Sequence, residues 1–216
     1  MIHLMSIVDA LVNDETIKTP VIMAAFRSIE RRDFILSEYQ LEADVNAPLP
    51  IGHGQTISQP FTVASMLEWL QPQPGDRVLD IGSGSGWQTA LLAHIVSQQP
   101  GGKVVAIERI PELKALGEKN IEKYGFVSSG VVHCLVGDGA LGAPDYAPYQ
   151  RIIAAAAAPQ VPALLKEQLA LGGRLVMPIG NEWSQAIVVV DKTSNHTYKE
   201  QRHPGFVFVP FVSNKL

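Results

Sequence analysis

Apolar positions recur at helical spacing from the start of the chain. Ile7, Ala10 and Leu11, then Ile22, Ala25, Phe26 and Ile29, predict two helices between Ile7 and Ile35. From Leu36 to Gln59 the periodicity breaks down around Pro48, Pro50, Gly52 and Gly54. This predicts a loop whose length marks it as functional or disordered. Val63, Met66, Leu67 and Leu70 restore a stripe along a helix that starts near Pro60, with Ser58 just before it, and "QPQPGD" stops that helix. Short β-rich runs then alternate with helical ones: Arg77 to Ile81, Gly86 to Val96, Lys103 to Ile107, Pro111 to Lys123, Val131 to Val136 and Arg151 to Ala155. Such alternation predicts parallel strands joined by right-handed crossovers. A helix from Pro162 to Leu169 leads into "GGRLVMPIG", "AIVVVDK" and "GFVFVPFV". No helix separates the last two, so an antiparallel finish is expected.

A length of 216 residues suits one domain, 1–216, with helices and loop (1–59) packed on an α/β core (60–216). No apolar run is long enough to span a bilayer and Met1 opens no charged-then-apolar leader, so a soluble, cytoplasmic protein with no membrane partner is expected. The net charge of -4, with no basic stripe, argues against nucleic acid as a partner. Cys134 lies in the apolar run "GVVHCLVGD" and reads as a buried structural thiol in a reducing compartment. His53 and His133 stand in no ligand-like cluster, and H-E-x-x-H and C-x-x-C are absent, so no metal site is expected. Nothing in the chain demands a dimer, and a monomer is expected.

The stretch "VLDIGSGSGWQTALLA" carries the first chemical signal. Gly82, Gly84 and Gly86 follow the strand-like "RVLDI" at the mouth of a helix, where glycine permits a tight turn and close approach of a ligand to the main chain. The spacing is G-x-G-x-G rather than the G-x-G-x-x-G of dinucleotide sites, which argues against a pyrophosphate and so against a nicotinamide cofactor. Asp80 is placed to attract a cationic group such as an amino-acid ammonium. Glu108 ends the next strand, where an acid commonly accepts from both ribose hydroxyls, and Asp138 beside Gly139 ends the third, where an acid can accept from an adenine amino group. Three carboxylates along one rim suit a nucleoside carrying an amino acid better than a phosphorylated cofactor. S-adenosylmethionine has those parts. Taken alone, the glycine run also reads as a tight strand-to-helix turn, and Glu108 or Asp138 as an ordinary helix cap.

Three stretches together resemble the protein-L-isoaspartate O-methyltransferase family: "PLPIGHGQTISQP", "VLDIGSGSGWQTALLA" and "LALGGRLVMPIG". The first is the distinctive one. The resemblance covers nearly the whole chain, including "IERRDFI" and "FVFVPFV", and implies a doubly wound, mostly parallel seven-stranded α/β methyltransferase fold of Rossmann-like type. It implies S-adenosylmethionine-dependent methylation of the free carboxylate of isoaspartyl residues in damaged proteins and peptides. The ester then collapses to succinimide and partly reverts to aspartate. By the resemblance, Ser58 matches the active-site serine, and Thr56 and Ile57 belong to the loop closing over cofactor and substrate. Gln55, Thr56 and Ser58 face the substrate. Gly82, Ser83 and Gly84 form the cofactor turn, with Glu108 at the ribose and Asp138 and Gly139 at the adenine. Asp44, Gln150 and Ala155 depart from the family's common residues and bear on acceptor fit.

The implied reaction is an in-line displacement by a carboxylate already ionised at neutral pH, so it asks for alignment rather than a strong base. Ser58 suits that role by donating to one carboxylate oxygen, and no G-x-S-x-G elbow marks it as an acylated nucleophile. Its position before Pro60 equally suits a helix cap. Two other readings stay open: a methyltransferase of the same fold with a different carboxylate acceptor, and a noncatalytic peptide-binding relative.

Overall fold

The computed structural model describes residues 6–181 and 183–213. Helices α1 (Ile7–Asn13) and α2 (Pro20–Ser28) open it. Ser6 Oγ accepts from the Asp9 amide at the start of α1, and Pro20 sits in the first turn of α2, where a missing amide donor costs nothing. The expected loop from Leu36 to Gln59 is more ordered than its pattern suggested. It contains an antiparallel hairpin of β1 (Leu49–Gly52) and β2 (Gln55–Ile57). Three successive left-handed residues, Gly52 (φ 93°), His53 (φ 54°) and Gly54 (φ 70°), make its turn. Strands of four and three residues are too short to display a period of two.

Helix α3 (Pro60–Leu70) is capped by Gln59 through its backbone alone, so Ser58 does not fill the capping role its position allowed. Asn46 ties down the start of the helix instead, its Oδ1 accepting from the Phe61 amide. Then come β3 (Arg77–Ile81), α4 (Trp87–Val96), β4 (Lys103–Glu108), α5 (Pro111–Glu122) and β5 (Val132–Val136), each within a residue of its expected bounds. Strand β6 (Tyr149–Ala154), helix α6 (Ala163–Glu167), and strands β7 (Leu169–Gly180), β8 (Gln185–Lys192) and β9 (Tyr198–Pro204) complete the order.

The seven strands form one sheet in the order β5-β4-β3-β6-β7-β8-β9. The first five are parallel and the last two pair antiparallel, giving the expected doubly wound α/β architecture. The chain winds outward from β3 to β5, then resumes on the other side of β3 with β6. A crevice opens beyond the carboxyl ends of strands at such a switch point. Successive strand residues face opposite cores. Val78, Val104 and Ile153 pack with Phe26, Leu67 and Leu91 on one face, whereas Leu79, Val105 and Ile152 pack with Leu165 on the other. The first of these cores also takes Leu49 and Ile51 of the hairpin. Among the described residues no helix is long and apolar enough to cross a membrane.

One expectation is overturned. "GFVFVPFV" is not the closing strand; the strand is the polar "YKEQRHP" of β9, which pairs with β8 from Lys192↔Tyr198 to Ala186↔Pro204. An edge strand is held by main-chain pairing with most side chains in water, so hydropathy does not mark it. Residues 206–213 instead cross the carboxyl edge of the sheet. The Ala157 amide donates to Val209 O and the Phe211 amide to Ala157 O, with an isolated bridge between Ala157 and Pro210. Their alternation arises because Phe206 and Phe208 pack on the core while Val207 is 90% exposed.

Candidate active site

Five residues turn β3 into α4, and their three glycines, all left-handed, do different things. A Cβ on Gly82 (φ 76°) would meet no atom within 4 Å, so the bare backbone there faces open space. A Cβ on Gly84 (φ 52°) would stand 3.1 Å from Ile51 Cδ1, which brings the turn against the hairpin. A Cβ on Gly86 (φ 92°) would lie 2.8 Å from both Gly117 O and Ile121 Cγ1, so this glycine lets α4 pack on α5 and makes no ligand surface.

Asp80 is fully buried, and its oxygens accept from Gln88 Nε2 at 2.7 Å and Thr89 Oγ1 at 2.6 Å. Burial pushes its carboxyl up to about 6, against the pull of those two bonds. The direct attraction of an ammonium to Asp80 is therefore not what the fold provides. Asp80 holds the first turn of α4 to β3 and acts on the cleft through the turn between them. Glu108, buried at the end of β4, accepts from the Gly84 amide through Oε2 and from the Ile110 amide through Oε1, each at 3.0 Å. It thus both braces the turn and lines the cleft.

That cleft lies at the switch point between β3 and β6. Gly82, Gly84, Glu108 and Gly139 form its floor, Gln55 and Thr56 come from the hairpin, and Pro210 and Phe211 come from the tail. A Cβ on Gly139 would lie 2.3 Å from Ile81 Cγ2 and 3.1 Å from Phe211 Cζ, so only a glycine lets the tail close here. A second cleft adjoins it, lined by Ser58, Gln59, Thr62, Pro48 and Phe208, and the two share Thr56, Ala155 and Val209. None of the residues lining this second cleft is charged.

Several expected residues stand elsewhere. Ile57 is buried in the main core beneath the hairpin and does not line either cleft. Ser83 is off the wall, its amide donating to Ile107 O and its carbonyl accepting from Gly86. Asp138 lines an adjoining hollow with Arg109; its Oδ1 accepts from Ala140 and its Oδ2 from Ser213 Oγ at 2.8 Å. Trp87, just after the turn, packs edge-on against Phe26 of α2 and so anchors α4 to a neighbouring helix. The alternation of "FVFVPFV" reads as a plain closing strand, whereas the family resemblance implies that this tail contributes to the substrate cleft; Phe208 and Val209 line the second cleft, and the tail walls the first as well through Val209, Pro210 and Phe211. Arg109 and Ile51 gave no local signal at all.

Comparison with known proteins shows the family of the chain. The family model "Protein-L-isoaspartate(D-aspartate) O-methyltransferase (PCMT)" matches residues 3–216. The chain belongs to the protein-L-isoaspartate O-methyltransferase family. A family protein of Aeropyrum pernix is 49% identical over 191 residues, spanning 88% of this chain and 72% of that one. One of Methanopyrus kandleri is 42% identical over 199 residues, spanning 92% and 86%. A crystal structure of a Plasmodium falciparum family protein in complex with S-adenosyl-L-homocysteine superposes with a TM-score of 0.86 over 96% of this chain and 97% of that one. At 23% identity that likeness bears on the fold alone. This isoaspartate methyltransferase family membership and the paired clefts rest on independent observations.

Proposed function

We propose that the protein transfers a methyl group from S-adenosylmethionine to the free carboxylate of L-isoaspartyl residues in damaged proteins and peptides, the first step of their repair. The observation that carries this is the pair of adjoining clefts that share Thr56, Ala155 and Val209: one is floored by bare glycine backbone and a buried carboxylate, the other lined by hydroxyls and apolar side chains. The residues of the first cleft fit the methyl donor. Gly82 leaves main chain open to its amino-acid part, Gly84 lines the same floor with its amide held by Glu108, Glu108 takes the ribose hydroxyls, and Gly139, with Asp138 in the hollow beside it, takes the adenine end. When bound, the donor supplies an electrophilic methyl group.

The protein's own part is alignment. An isoaspartyl carboxylate is ionised at neutral pH, so no general base is required. Ser58 donates its hydroxyl to one carboxylate oxygen and turns the other toward the shared wall, while Thr56 on that wall holds the peptide from the hairpin side; Gln55, expected on the substrate, lines the first cleft alone and stands on the donor's side. Val209 and Phe211 exclude water where the clefts meet. Held at near-attack geometry, such a pair of reactants gains on the order of 7 to 11 kcal/mol over free encounter.

The reading extends to the whole chain as one domain, 1–216, acting as a monomer in the cytoplasm, with residues 1–5 and 214–216 outside the described ones. The core that unites Phe26 and Leu49 with Val78 and Ile153 supports the single domain, and half-buried Cys134, whose thiol burial pushes up to about 11, fits a structural thiol. The test is incubation with methyl-labelled S-adenosylmethionine and matched isoaspartyl and aspartyl peptides. Label in the isoaspartyl peptide alone is expected. Equal label in both, label in neither, or label only in small free acids defeats the reading.

A further inference from the structure

Arg31 is 5% exposed, yet no carboxylate among the described residues pairs with it. Its guanidinium is spent on carbonyl oxygens drawn from two separate segments. Nη1 donates to Ala43 O at 3.1 Å and Val45 O at 3.0 Å, and Nη2 to Ala47 O at 2.7 Å and Ser58 O at 3.3 Å. Beneath it lies the ring of Trp87, with the guanidinium carbon 5.6 Å from the ring centroid. Burial draws the group down only to about 10, with Asp44 opposing that shift, so it stays charged at neutral pH.

Burying a cation costs several kcal/mol unless its donors are met, and four carbonyl bonds meet most of them here. The placement of those bonds matters for more than stability. One bond reaches the backbone of Ser58, three reach the strand of loop that leads into the hairpin, and the supporting ring belongs to the first residue after the glycine turn. Arg31 therefore touches the parts that carry the acceptor side and the part that carries the donor side, while lining neither cleft.

We propose that Arg31 is a positioning residue that sets the distance and angle between Ser58 and the cofactor turn, by tying the 43–58 segment to the start of α4. The proposal rests on the assignment of Ser58 and the glycine turn above. An in-line displacement tolerates little error, and a misplacement of about 1 Å costs on the order of 100-fold in rate. Lysine keeps the charge at this position but presents a single point donor that cannot span four carbonyls set around a planar fork.

The test is Arg31→Lys, read in three ways. Hydrogen exchange over residues 43–58 is expected to quicken at least tenfold while β3, β4 and β6 keep wild-type protection. The Kd for S-adenosylhomocysteine is expected to stay within threefold, and kcat on an isoaspartyl peptide to fall at least tenfold with the KM for the methyl donor little changed. Unchanged exchange over 43–58 overturns the proposal. So does a uniform loss of protection across the sheet with cofactor affinity and kcat falling together, which is the mark of a merely structural residue. If Arg31→Lys does not fold, Trp87→Phe carries the decision, because it weakens the plane under the guanidinium while keeping a ring against Phe26. Wild-type exchange and kcat in that variant overturn the proposal. Should wild-type protein leave isoaspartyl peptides unlabelled, the functional reading fails, and the exchange measurement still decides whether Arg31 orders the loop.

Discussion

Ser58 stands half-buried at the mouth of the second cleft and is free of helix-capping duty, so its hydroxyl is available to an acceptor carboxylate. A hydrogen bond to a charged group is worth about 1.5 to 3 kcal/mol. Ser58→Ala is therefore expected to lower kcat on an isoaspartyl peptide by about 10- to 100-fold while the Kd for S-adenosylhomocysteine stays within threefold, measured by steady-state methylation and calorimetry. Asp80 gives a prediction of another kind. Its carboxyl ionises at 3.8 in the unfolded reference and at about 6 in the fold. Between those values the folded protein keeps a proton that the unfolded chain has released. The stability this group allows is thus fully present below pH 3.8 and lost as pH rises through about 6, the ionised form costing on the order of 3 kcal/mol at neutrality. Asp80→Asn keeps an acceptor for Thr89 and has no such titration. The melting temperature of the variant minus that of wild type should grow by several degrees between about pH 4 and about pH 7.5; a constant difference refutes the account.

At the scale of elements, two glycines of one motif are expected to separate packing from binding. Gly86→Ala drives a methyl into Gly117 O and Ile121 at a left-handed φ, which combines backbone strain with overpacking at on the order of 3 kcal/mol and a melting point lower by about 6 to 12 °C. Gly82→Ala carries only the strain, about 1 to 2 kcal/mol, and points its methyl into the cofactor space. Its Kd for S-adenosylhomocysteine should rise at least tenfold with a smaller loss of melting temperature; calorimetric titration and thermal melts on both variants distinguish them. The elements themselves were legible where burial imposed a period. Strands β3 and β4 are buried runs of Val, Leu, Ile and Ala, and α5 begins on a proline, so their bounds could be read to within a residue. Strand β9 could not be read, because hydrogen bonds to β8 define it and its side chains meet water.

At the scale of the whole molecule, residues 206–213 act as a strap. Gln185 holds the Phe208 amide and carbonyl, Ala157 holds Val209 and Phe211, and Ser213 reaches Asp138. Deleting residues 209–216 leaves the Gln185 anchor and removes the outer wall of the first cleft. The truncated protein should lose at least tenfold in cofactor affinity by calorimetry while its melting point falls by only a few degrees; unchanged affinity would show that the strap is not part of the site. What sequence alone made legible was local: the parallel alternation, the glycine turn at a strand's end and the acid at the end of β4. Each depends on near neighbours in the chain, where backbone sterics and periodic burial act. Which side chains meet in space was decided by the tertiary structure, because those contacts span long separations. The fold turned Asp80 inward to Gln88 and Thr89, sank Ile57 into the core, laid the apolar tail over the crevice, and set one buried guanidinium between the 43–58 segment and the start of α4.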